Sequence, residues 1–552
     1  MPARRPVTAG LAALLALVVA PSEAIAGGRH RDPDAPAIKV ARAVASGPMD
    51  RVSSAGRQLL ARGYLVRQPG LYDRGKAALQ AAHVPGSRGA SVVSPTPPLT
   101  LRRFNGTFDP RTTPPDPTGA LGPTRYVQLV NTRFAIFRRG GHRLSEGDLG
   151  VFTGMGRNFA FLTDPQIIWD AGSRRFYYVV LDFDIAVRNR SDRIDYAFGF
   201  SKTGSPRNAR DWCKYTVSLG YDDPRFGRRR VGDQPHLGDS ADYVLWGVNV
   251  FDVSGGPRFI GADVDWVSKP ARGRRCPRPG RLLLGARHDL RTAGGARAFT
   301  PVVADQIDRR HTGWVVAAQR LGRPSSKGRA LSVFRVTRSR AGAVIQGRGR
   351  AVAVPAYSFP PPAPQAGSSH PLDTLDGRLT QAVGAVDPSR DRMAVWTQHA
   401  VRGGAGSEVR WYEIDPARRR VLRRGQATDP NLFVFNGAVS SDRAVRRGFR
   451  RFGRSMVLGF NTASGSTDAA VQMVSKVGDG PQSGFVLVRR SRGPAVDFSC
   501  ADTCRWGDYA GASPDPLFAA KARRGRVWLT NMWNRPNRRG VDWRTVIWQS
   551  RP

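Results

Sequence analysis

Short runs of Val, Ile, Phe, Tyr and Trp recur from about residue 100 to residue 552, and each run is bounded by Gly, Pro, Asp or Asn. Runs of this length and composition predict β-strands that are joined by turns. A helical period of hydrophobic positions is scarce over the same stretch. The pattern therefore predicts an all-β structure that is built from many short strands.

One unit repeats along this region: a polar entry, a turn that contains Asp, and an apolar strand. Its clearest copy runs from Arg505 to Asn531. The starts of the copies are spaced by roughly 40 to 75 residues, and four-stranded propeller blades need about 40 to 50. The repeat therefore predicts a β-propeller of six to eight four-stranded blades, with a pair of β-sandwiches as the alternative. Looser copies begin at Pro114, Thr163, Gly232, Val303, Asp376 and Phe435.

The first residues have the features of a secretory signal. Arg4 and Arg5 precede an apolar segment, and Ala24-Ile25-Ala26 forms a cleavage site of the A-x-A type. We therefore expect a signal peptide over 1–26 and a secreted, extracellular mature protein. Later apolar segments are too short to cross a bilayer. An Ala/Arg-rich stretch and a Ser/Pro linker predict a partly disordered N-terminal extension over 27–100, which leaves 101–552 for the propeller.

The chain contains four cysteines. In an oxidising exterior, an even number of cysteines predicts disulfides. We expect Cys500 to pair with Cys504, next to the start of the last repeat, and Cys213 to pair with Cys276. Four cysteines permit three pairings. A zinc site is the alternative, which the scattered histidines and the absence of C-x-x-C pairs disfavour.

The formal net charge is +43, and most of the basic residues are Arg. Such a field attracts polyanions, whether acidic glycans, cell-envelope polymers, nucleic acid or an anionic membrane. The alternative is an arginine-rich composition that is spread over solvated loops. No basic motif with interleaved stacking aromatics predicts a specific nucleic-acid partner. The densest basic clusters are Arg228–Arg230, Arg418–Arg420, Arg446-Arg447, Arg450-Arg451 and Arg538-Arg539.

Asp residues recur where the chain enters the repeats, and Arg residues lie near several of them. Propeller sites form where loops converge on the central axis, so these positions predict a mixed Asp/Arg surface. Such a surface could hold a carboxylated sugar through Arg forks, and two of the carboxyls could supply acid/base chemistry. The alternative is that each Asp accepts hydrogen bonds from its own turn. The candidates are Asp116, Arg125, Asp164, Asp233, His236, Asp376, Arg378, Arg505, Asp508 and Tyr509.

Several classes of enzyme are disfavoured by the motifs that the chain lacks. It has no G-x-S-x-G nucleophile elbow, no H-E-x-x-H zinc motif and no P-loop. We expect no cofactor. Calcium is the alternative, because clustered Asp oxygens suit a hard cation, although no EF-hand loop is present.

Several of these segments, taken together, resemble a family of secreted bacterial sialidase-like β-propeller proteins. The resemblance covers about residues 101–550 and implies the fold and export, whereas activity is usually unassigned in such proteins. The segments are Pro114–Gly119 with Tyr126–Gln128 and Asn131, Asp164-Pro165 with Trp169-Asp170 and Arg175, Leu375–Leu379, Val409–Glu413, and Arg505–Tyr509 with Asp515-Pro516.

The chain departs from true sialidases in two ways. It has no Asp-box of the type S-x-D-x-G-x-x-W. The adjacent Tyr412 and Glu413 lie in a predicted strand and should point to opposite faces, which makes them a poor nucleophile pair. No catalytic residue is therefore carried over from that family.

Together these observations favour a monomeric, secreted binding or surface-interaction propeller that recognises an acidic glycan or a cell-envelope polymer. A sialidase-like glycoside hydrolase or lyase that uses the same axial residues is the alternative. A purely structural scaffold is a third hypothesis, and it predicts axial Asp side chains that are fully engaged by backbone N–H groups.

Overall fold

The computed structural model describes residues 39–42, 97–155, 162–184, 193–218, 230–252, 258–271, 273, 275–322, 326–500, 502–535 and 543–552. The predicted signal peptide and most of the predicted extension over 27–100 lie outside these residues. Within them, no helix is long and apolar enough to cross a membrane.

The described residues form a seven-bladed β-propeller, which confirms the predicted fold class. Strands β1 (Lys39–Arg42) and β2 (Leu99–Asn105) precede the first blade. Blade 1 contains β3 (Thr118–Leu121), β4 (Arg125–Val130), β5 (Arg133–Arg138) and β6 (Arg143–Asp148), followed by helix α1 (Leu149–Thr153). Blade 2 contains β7 (Leu162–Asp170), β8 (Arg175–Asp184), β9 (Arg193–Ser201) and β10 (Trp212–Ser218). Blade 3 contains β11 (Arg230–Asp239), β12 (Tyr243–Asp252), β13 (Arg258–Ser268) and β14 (Leu284–Arg287).

Blades 2, 4 and 5 each carry an additional strand, which in blade 2 is β1, paired antiparallel with β10. Blade 4 contains β15 (Phe299–Val303), β17 (Gly313–Ala318) and β18 (Gly328–Ser339), and β18 pairs with both β19 (Gly342–Ile345) and β20 (Arg350–Tyr357). The hairpin of β21 (Ala363–Gln365) and β22 (Ser368–Leu372) follows. Blade 5 contains β23 (Leu379–Asp387), β24 (Arg392–Gly403), β25 (Gly406–Asp415) and β26 (Arg420–Ala427), and β16 (Asp305–Gln306) pairs with β23 in parallel.

Blade 6 contains β27 (Phe433–Ser441), β30 (Met456–Ser464), β31 (Thr467–Lys476) and β32 (Val486–Arg490). Between its first two strands the chain makes a separate hairpin of β28 (Ala444–Arg446) and β29 (Phe449–Arg451). Blade 7 contains β33 (Gly511–Pro514), β34 (Val527–Asn534) and β35 (Trp543–Arg551). Its outermost strand is β2, which pairs antiparallel with β35 and closes the ring.

The hydrophobic core is divided into layers between neighbouring blades. The innermost strands contact one another in ring order, and the last one, β33, contacts the first, β3. Alternate residues of a strand face the two adjacent blades. In β4, for example, Val127 packs towards blade 2 and Tyr126 towards blade 7. The stacked rings of Phe198 and Trp246, with centroids 6.1 Å apart, join blades 2 and 3 in the same way.

Side-chain amides tie several pairs of neighbouring blades together beside the axis. The Nδ2 of Asn131, at the end of β4, donates to Asp116 of its own blade (2.8 Å), and its Oδ1 accepts from the backbone N–H of Asp164 in blade 2 (2.9 Å). Asn249 holds Thr300 in the same manner, and Gln398 bonds Gly437. These buried amides fix where the innermost strands begin.

Bulges near the start of several innermost strands change the direction of their side chains. Such bulges remove residues from the ladder and re-aim side chains. Each of four bulges contains a residue with φ between 48° and 55°, followed by Pro or Gly. These residues are Asp164, Gln234, Thr300 and Asn436.

Both predicted disulfides are present. Cys213, at the start of β10, is bonded to Cys276 in the loop that follows β13, so this bridge links blade 2 to blade 3. Cys500 is bonded to Cys504, immediately before Arg505. No free cysteine is found among the described residues.

Candidate axial site

The two ends of the innermost strands differ in chemistry, and we call them the entry end, where the chain enters each blade, and the exit end. At the entry end, residues of blades that are not neighbours contact one another. The Oη of Tyr509 in blade 7 donates to Pro165 O in blade 2 (3.3 Å), and its ring lies 6.1 Å from that of His236 in blade 3. The guanidinium of Arg378 in blade 5 donates to the Gln234 side chain in blade 3. Contacts of this kind place these residues on the propeller axis.

Four carboxyl groups meet there, and we call them the axial carboxyl cluster: Asp116, Asp164, Asp233 and Asp508. All four are buried, with exposed fractions between 1% and 6%. Asp116 Oδ1 accepts from the backbone N–H of Asp508 at 2.7 Å, which joins blades 1 and 7. These four residues, which share the blade-entry pattern of the sequence, lie together in the structure.

Burial and mutual repulsion favour the neutral form of Asp116, Asp164 and Asp233. Burial, followed by the charges of Asp508 and Asp164, raises the pKa of Asp116 well above its ordinary value. Burial and the neighbouring Asp233 raise the pKa of Asp164 in the same way. The pKa of Asp233 is raised to about 7, chiefly by burial and then by Asp508, while Arg378 opposes the shift. The cluster therefore holds protons near neutral pH.

The two arginines of the site are already engaged by carboxylates. Arg378 binds Asp376 through two hydrogen bonds, from Nε (2.7 Å) and Nη2 (2.5 Å), and its guanidinium lies 4.9 Å from the centre of the Phe299 ring. Arg505 binds Asp508 at 2.5 Å and lies 3.6 Å from Asp373. Neither guanidinium is therefore free to form a fork with the carboxylate of a ligand.

His236 and Tyr509 supply neutral, buried surface to the site. Burial, followed by the charge of Arg378, lowers the pKa of His236 to about 3, so the imidazole is uncharged at neutral pH. Burial raises the pKa of Tyr509 well above its ordinary value. Both side chains are about 1% exposed. His236 therefore acts as a packing side chain of the axis rather than as a charged group.

Two members of the cluster are less engaged by the protein than the other two. Both oxygens of Asp116 accept hydrogen bonds, and Asp508 accepts from Arg505. In contrast, among the described residues Asp233 Oδ2 has no hydrogen-bond partner, and Asp164 accepts a long bond from its neighbour Thr163 at 3.4 Å. The Nε2 of Gln234, next to Asp233, is also without a partner. The neighbouring entries of blades 2 and 3 thus carry unused hydrogen-bonding capacity.

Arg125 does not join the site. It begins β4, one turn after the exit end of β3, and donates to Pro206 O of blade 2 (3.0 Å) and to Thr124 O (3.0 Å). Strand β3 and the turn after it separate Arg125 from the entry end, although Arg125 is close to Asp116 in the sequence. Its charge therefore contributes to the surface that joins blades 1 and 2.

Several residues of the axis were not singled out from the sequence. Gln234, Asp373 and Phe299 contact the two arginines, and the Asn131 amide connects two of the entry strands. The signal available in the sequence was a polar residue before Pro or Gly at each entry. Gln234, Thr300 and Asn436 share this signal with the Asp residues.

At the exit end, Asp residues serve the backbone instead. Asp442 accepts from the N–H groups of Gly453, Ser455 and Gly525, and the last of these belongs to blade 7. Although burial alone would raise it, Lys269 and hydrogen bonds from Ser173 hold the pKa of Asp170 below its ordinary value. Burial prevails at Asp239, whose pKa is raised to about 6. The further members of this set are Asp308, Asp387 and Asp515.

Two possibilities raised by the sequence are a Tyr412/Glu413 nucleophile pair and a bound metal ion, and the structure bears on both. Tyr412 bonds His399 (3.1 Å), whereas Glu413 bonds Arg423 (2.7 Å), and the two adjacent side chains lie in different surroundings. Among the described residues, no group of three or more His, Cys, Asp or Glu side chains is arranged to hold a metal ion.

Neither a family model nor a curated protein matches this chain. It is similar to the solved Trypanosoma rangeli sialidase in complex with sialic acid, with 10% identity and a TM-score of 0.35 over 70% of this chain and 54% of that one. It is also similar to a Hadza microbial sialidase (10%, TM-score 0.36, 76% and 73%) and to the Dos1 propeller (10%, TM-score 0.33, 81% and 94%). The chain spans about half the length of the trypanosomal sialidase. No residue role follows from likenesses at this level.

Proposed function

We propose that this protein is an extracellular binding propeller whose entry end recognises a glycan, such as an acidic glycan or a cell-envelope polymer. The observation that supports the proposal is the convergence of four buried carboxyls on the axis, three of which, Asp116, Asp164 and Asp233, have raised pKa values. The two disulfides fit an oxidising compartment.

Sugar hydroxyls match the chemistry of this cluster. A protonated carboxyl donates one hydrogen bond and accepts others, and an amide side chain does both. Asp233 Oδ2 and the Nε2 of Gln234 are buried without partners, and a buried polar atom that lacks a hydrogen bond is costly. A hydroxyl that both donates and accepts would satisfy the two atoms together. We therefore assign the neutral part of the ligand to Asp164, Asp233 and Gln234.

Acidic groups of the ligand are assigned to a different surface. Arg378 and Arg505 are held by Asp376 and Asp508, so the axis offers no free cation of its own. The protein as a whole carries a formal net charge of +43, and a field of that sign concentrates anionic polymers at the surface. In this proposal the basic exterior attracts the anionic polymer, and the axial residues recognise it.

A glycoside hydrolase or lyase is the second candidate, and one observation favours it. The pKa of Asp233 is raised to about 7 within a group of interacting carboxyls. Retaining and inverting glycosidases use two carboxyls whose environments separate their pKa values, with one serving as the acid. Asp233 would be the acid in that mechanism, and the carboxylate of Asp508, held by Arg505, would be its partner.

The experiment is a screen of acidic and neutral glycans against the mature protein that records both binding and product release at low and physiological salt. Asp164→Asn and Asp233→Asn test the axis. Asp391→Asn is the matched control, because Asp391 is exposed and has a φ of 47°, which Asn tolerates. We expect binding that persists at physiological salt and weakens in both axial variants but not in the control.

Other results would change the assignment. Release of sugar by the wild type that disappears in Asp233→Asn would establish the hydrolase and reject the binding propeller. Binding that vanishes as salt rises, equally in all variants, would mean that net charge alone acts and that the axis has no ligand role.

A further inference from the structure

A basic hairpin projects from the exit end of blade 6. Strands β28 and β29 pair through Arg446 and Phe449, and the two residues between them, Arg447 and Gly448, have φ values of 49° and 88°. Two consecutive positive φ values define a type I′ turn, which matches the twist of a two-stranded ribbon. The hairpin is therefore a regular structure that presents its tip in a fixed orientation.

The tip of the hairpin is apolar at one position and basic around it. Phe449 is 72% exposed, which is the largest exposed fraction among the large hydrophobic side chains of the described residues. Arg446, Arg447 and Arg450 are also exposed. An exposed phenyl group that is surrounded by guanidinium groups has the composition of an interfacial anchor.

The loop of blade 7 that follows β33 supports the base of the hairpin. The guanidinium of Arg451 donates to the carbonyl of Ala520 (2.6 Å) and to that of Ala522 (3.2 Å). The ring of Phe452 packs edge-on against Phe518, with centroids 5.9 Å apart. These contacts make the hairpin and the loop one surface rather than two independent segments.

A cleft of about 550 Å³ lies between the hairpin and this loop, and its lining is basic. The nearby carboxylates are buried and already bonded: Asp308 by Arg443 (2.7 Å) and Asp442 by three backbone N–H groups. The exposed charge of the surface is therefore positive. We call it the hairpin surface, and it comprises Arg446, Arg447, Phe449, Arg450, Lys521 and Arg523.

We propose that the hairpin surface docks the propeller onto an anionic lipid bilayer, with Phe449 inserted at the level of the headgroups. Basic side chains near an anionic membrane each contribute about 1 kcal/mol of attraction. Phe side chains flanked by Lys and Arg bury in the boundary between headgroups and acyl chains in interfacial anchors. A projecting tip can enter such an interface, whereas an acidic polysaccharide needs only the arginines and gains little from a phenyl group at the apex.

The position of the hairpin in the fold sets the orientation of the docked protein. It follows the exit end of β27, whereas the axial carboxyl cluster lies at the entry end of the innermost strands. A strand of this length spans about 30 Å at 3.3 Å per residue. Docking through the hairpin would therefore turn the entry end away from the lipid. The inference does not depend on what the axis binds.

The test measures co-sedimentation of the full mature chain with vesicles of phosphatidylcholine that contain 30% phosphatidylglycerol, at 0.15 M NaCl. Phe449→Ser removes the phenyl group without changing the charge. The matched control is Val344→Ser on the β18–β19 hairpin, because Val344 is also exposed, at 51%. Arg447→Gln and Arg340→Gln form the corresponding charged pair. Binding of the same proteins to dextran sulfate is measured in parallel.

We expect Phe449→Ser to weaken binding to the vesicles about tenfold, because the variant lacks the phenyl group that the bilayer would bury. Its binding to dextran sulfate and the behaviour of Val344→Ser should stay at the wild-type level. An equal loss on vesicles and on dextran sulfate would assign the surface to soluble polyanions and overturn the proposal. Vesicle binding that Phe449→Ser leaves unchanged would overturn it as well, since the net charge alone would then account for the attraction.

Discussion

The two ends of the innermost strands use the same residue, Asp, in opposite ways. At the exit end, Asp442 accepts three backbone hydrogen bonds, and Asp308 receives an arginine from blade 6. At the entry end, Asp164 and Asp233 face other carboxyls, and Asp233 Oδ2 has no partner. A carboxylate that satisfies its own fold contributes to stability. A neutral carboxyl with unused hydrogen-bonding capacity is the feature on which the proposed ligand role depends.

Removal of the disulfides should have the largest effect on the free energy of unfolding. One disulfide lies near each end of the innermost strands. In the chain-entropy description, a bridge stabilises more when it closes a longer loop. Cys213–Cys276 spans 63 residues and Cys500–Cys504 spans 4. We expect Cys213→Ala/Cys276→Ala to lower the free energy of unfolding by about 4 kcal/mol and Cys500→Ala/Cys504→Ala by about 2. Urea denaturation of both double variants measures this, and equal losses would contradict it.

Removal of an exit-end carboxylate should have the next largest effect on the free energy of unfolding. Asp442→Ala leaves the N–H groups of Gly453, Ser455 and Gly525 buried without an acceptor. At roughly 1 kcal/mol or more for each donor, the free energy of unfolding should fall by about 3 kcal/mol. Thermal or urea denaturation measures the change, and glycan binding at physiological salt serves as the second measurement. A folded protein with weakened glycan binding would show that the two ends are coupled.

An effect of pH is expected at the entry end. The pKa of Asp233 is raised from its ordinary value near 4 to about 7, so the folded state binds this proton more tightly than the unfolded chain does. Stability from this group is complete below pH 4 and is lost as pH rises to 7. Asp233→Asn should remove that part of the slope, which amounts to about 3 kcal/mol between pH 4.5 and 8. Urea midpoints at pH 4.5 and 8 measure it, and an unchanged slope would mean that Asp233 is not protonated in the fold.

The repeated unit in the sequence anticipated the blades well. The starts at Thr163, Gly232 and Phe435 each fall at or within three residues of the first residue of an innermost strand. This succeeded because each blade must bury an apolar strand between two neighbours, which imposes the same pattern of turns and β-branched residues on every copy. The sequence predicts six to eight blades, and the described residues form seven.

The roles of individual Asp residues could not be read in the same way. Asp116-Pro117 and Asp515-Pro516 are the same dipeptide, yet the first lies at an entry end on the axis and the second at an exit end. Arg125 was assigned to the axis because it is near Asp116 in the chain, but a complete strand lies between them. The cross-axis contact between Arg378 and Gln234 joins blades 5 and 3, and no local pattern encodes it.

The strand that closes the ring has a consequence for how the protein folds. Leu99 pairs with Arg551, so β2 must wait for the last strand of the chain before it has a partner. Contacts between such distant segments are slow to form, because the chain entropy is lost before the pairing stabilises it. Moving residues 99–105 behind residue 552 would turn this pairing into a local hairpin. Such a permuted chain should refold faster than the natural order while reaching the same seven blades.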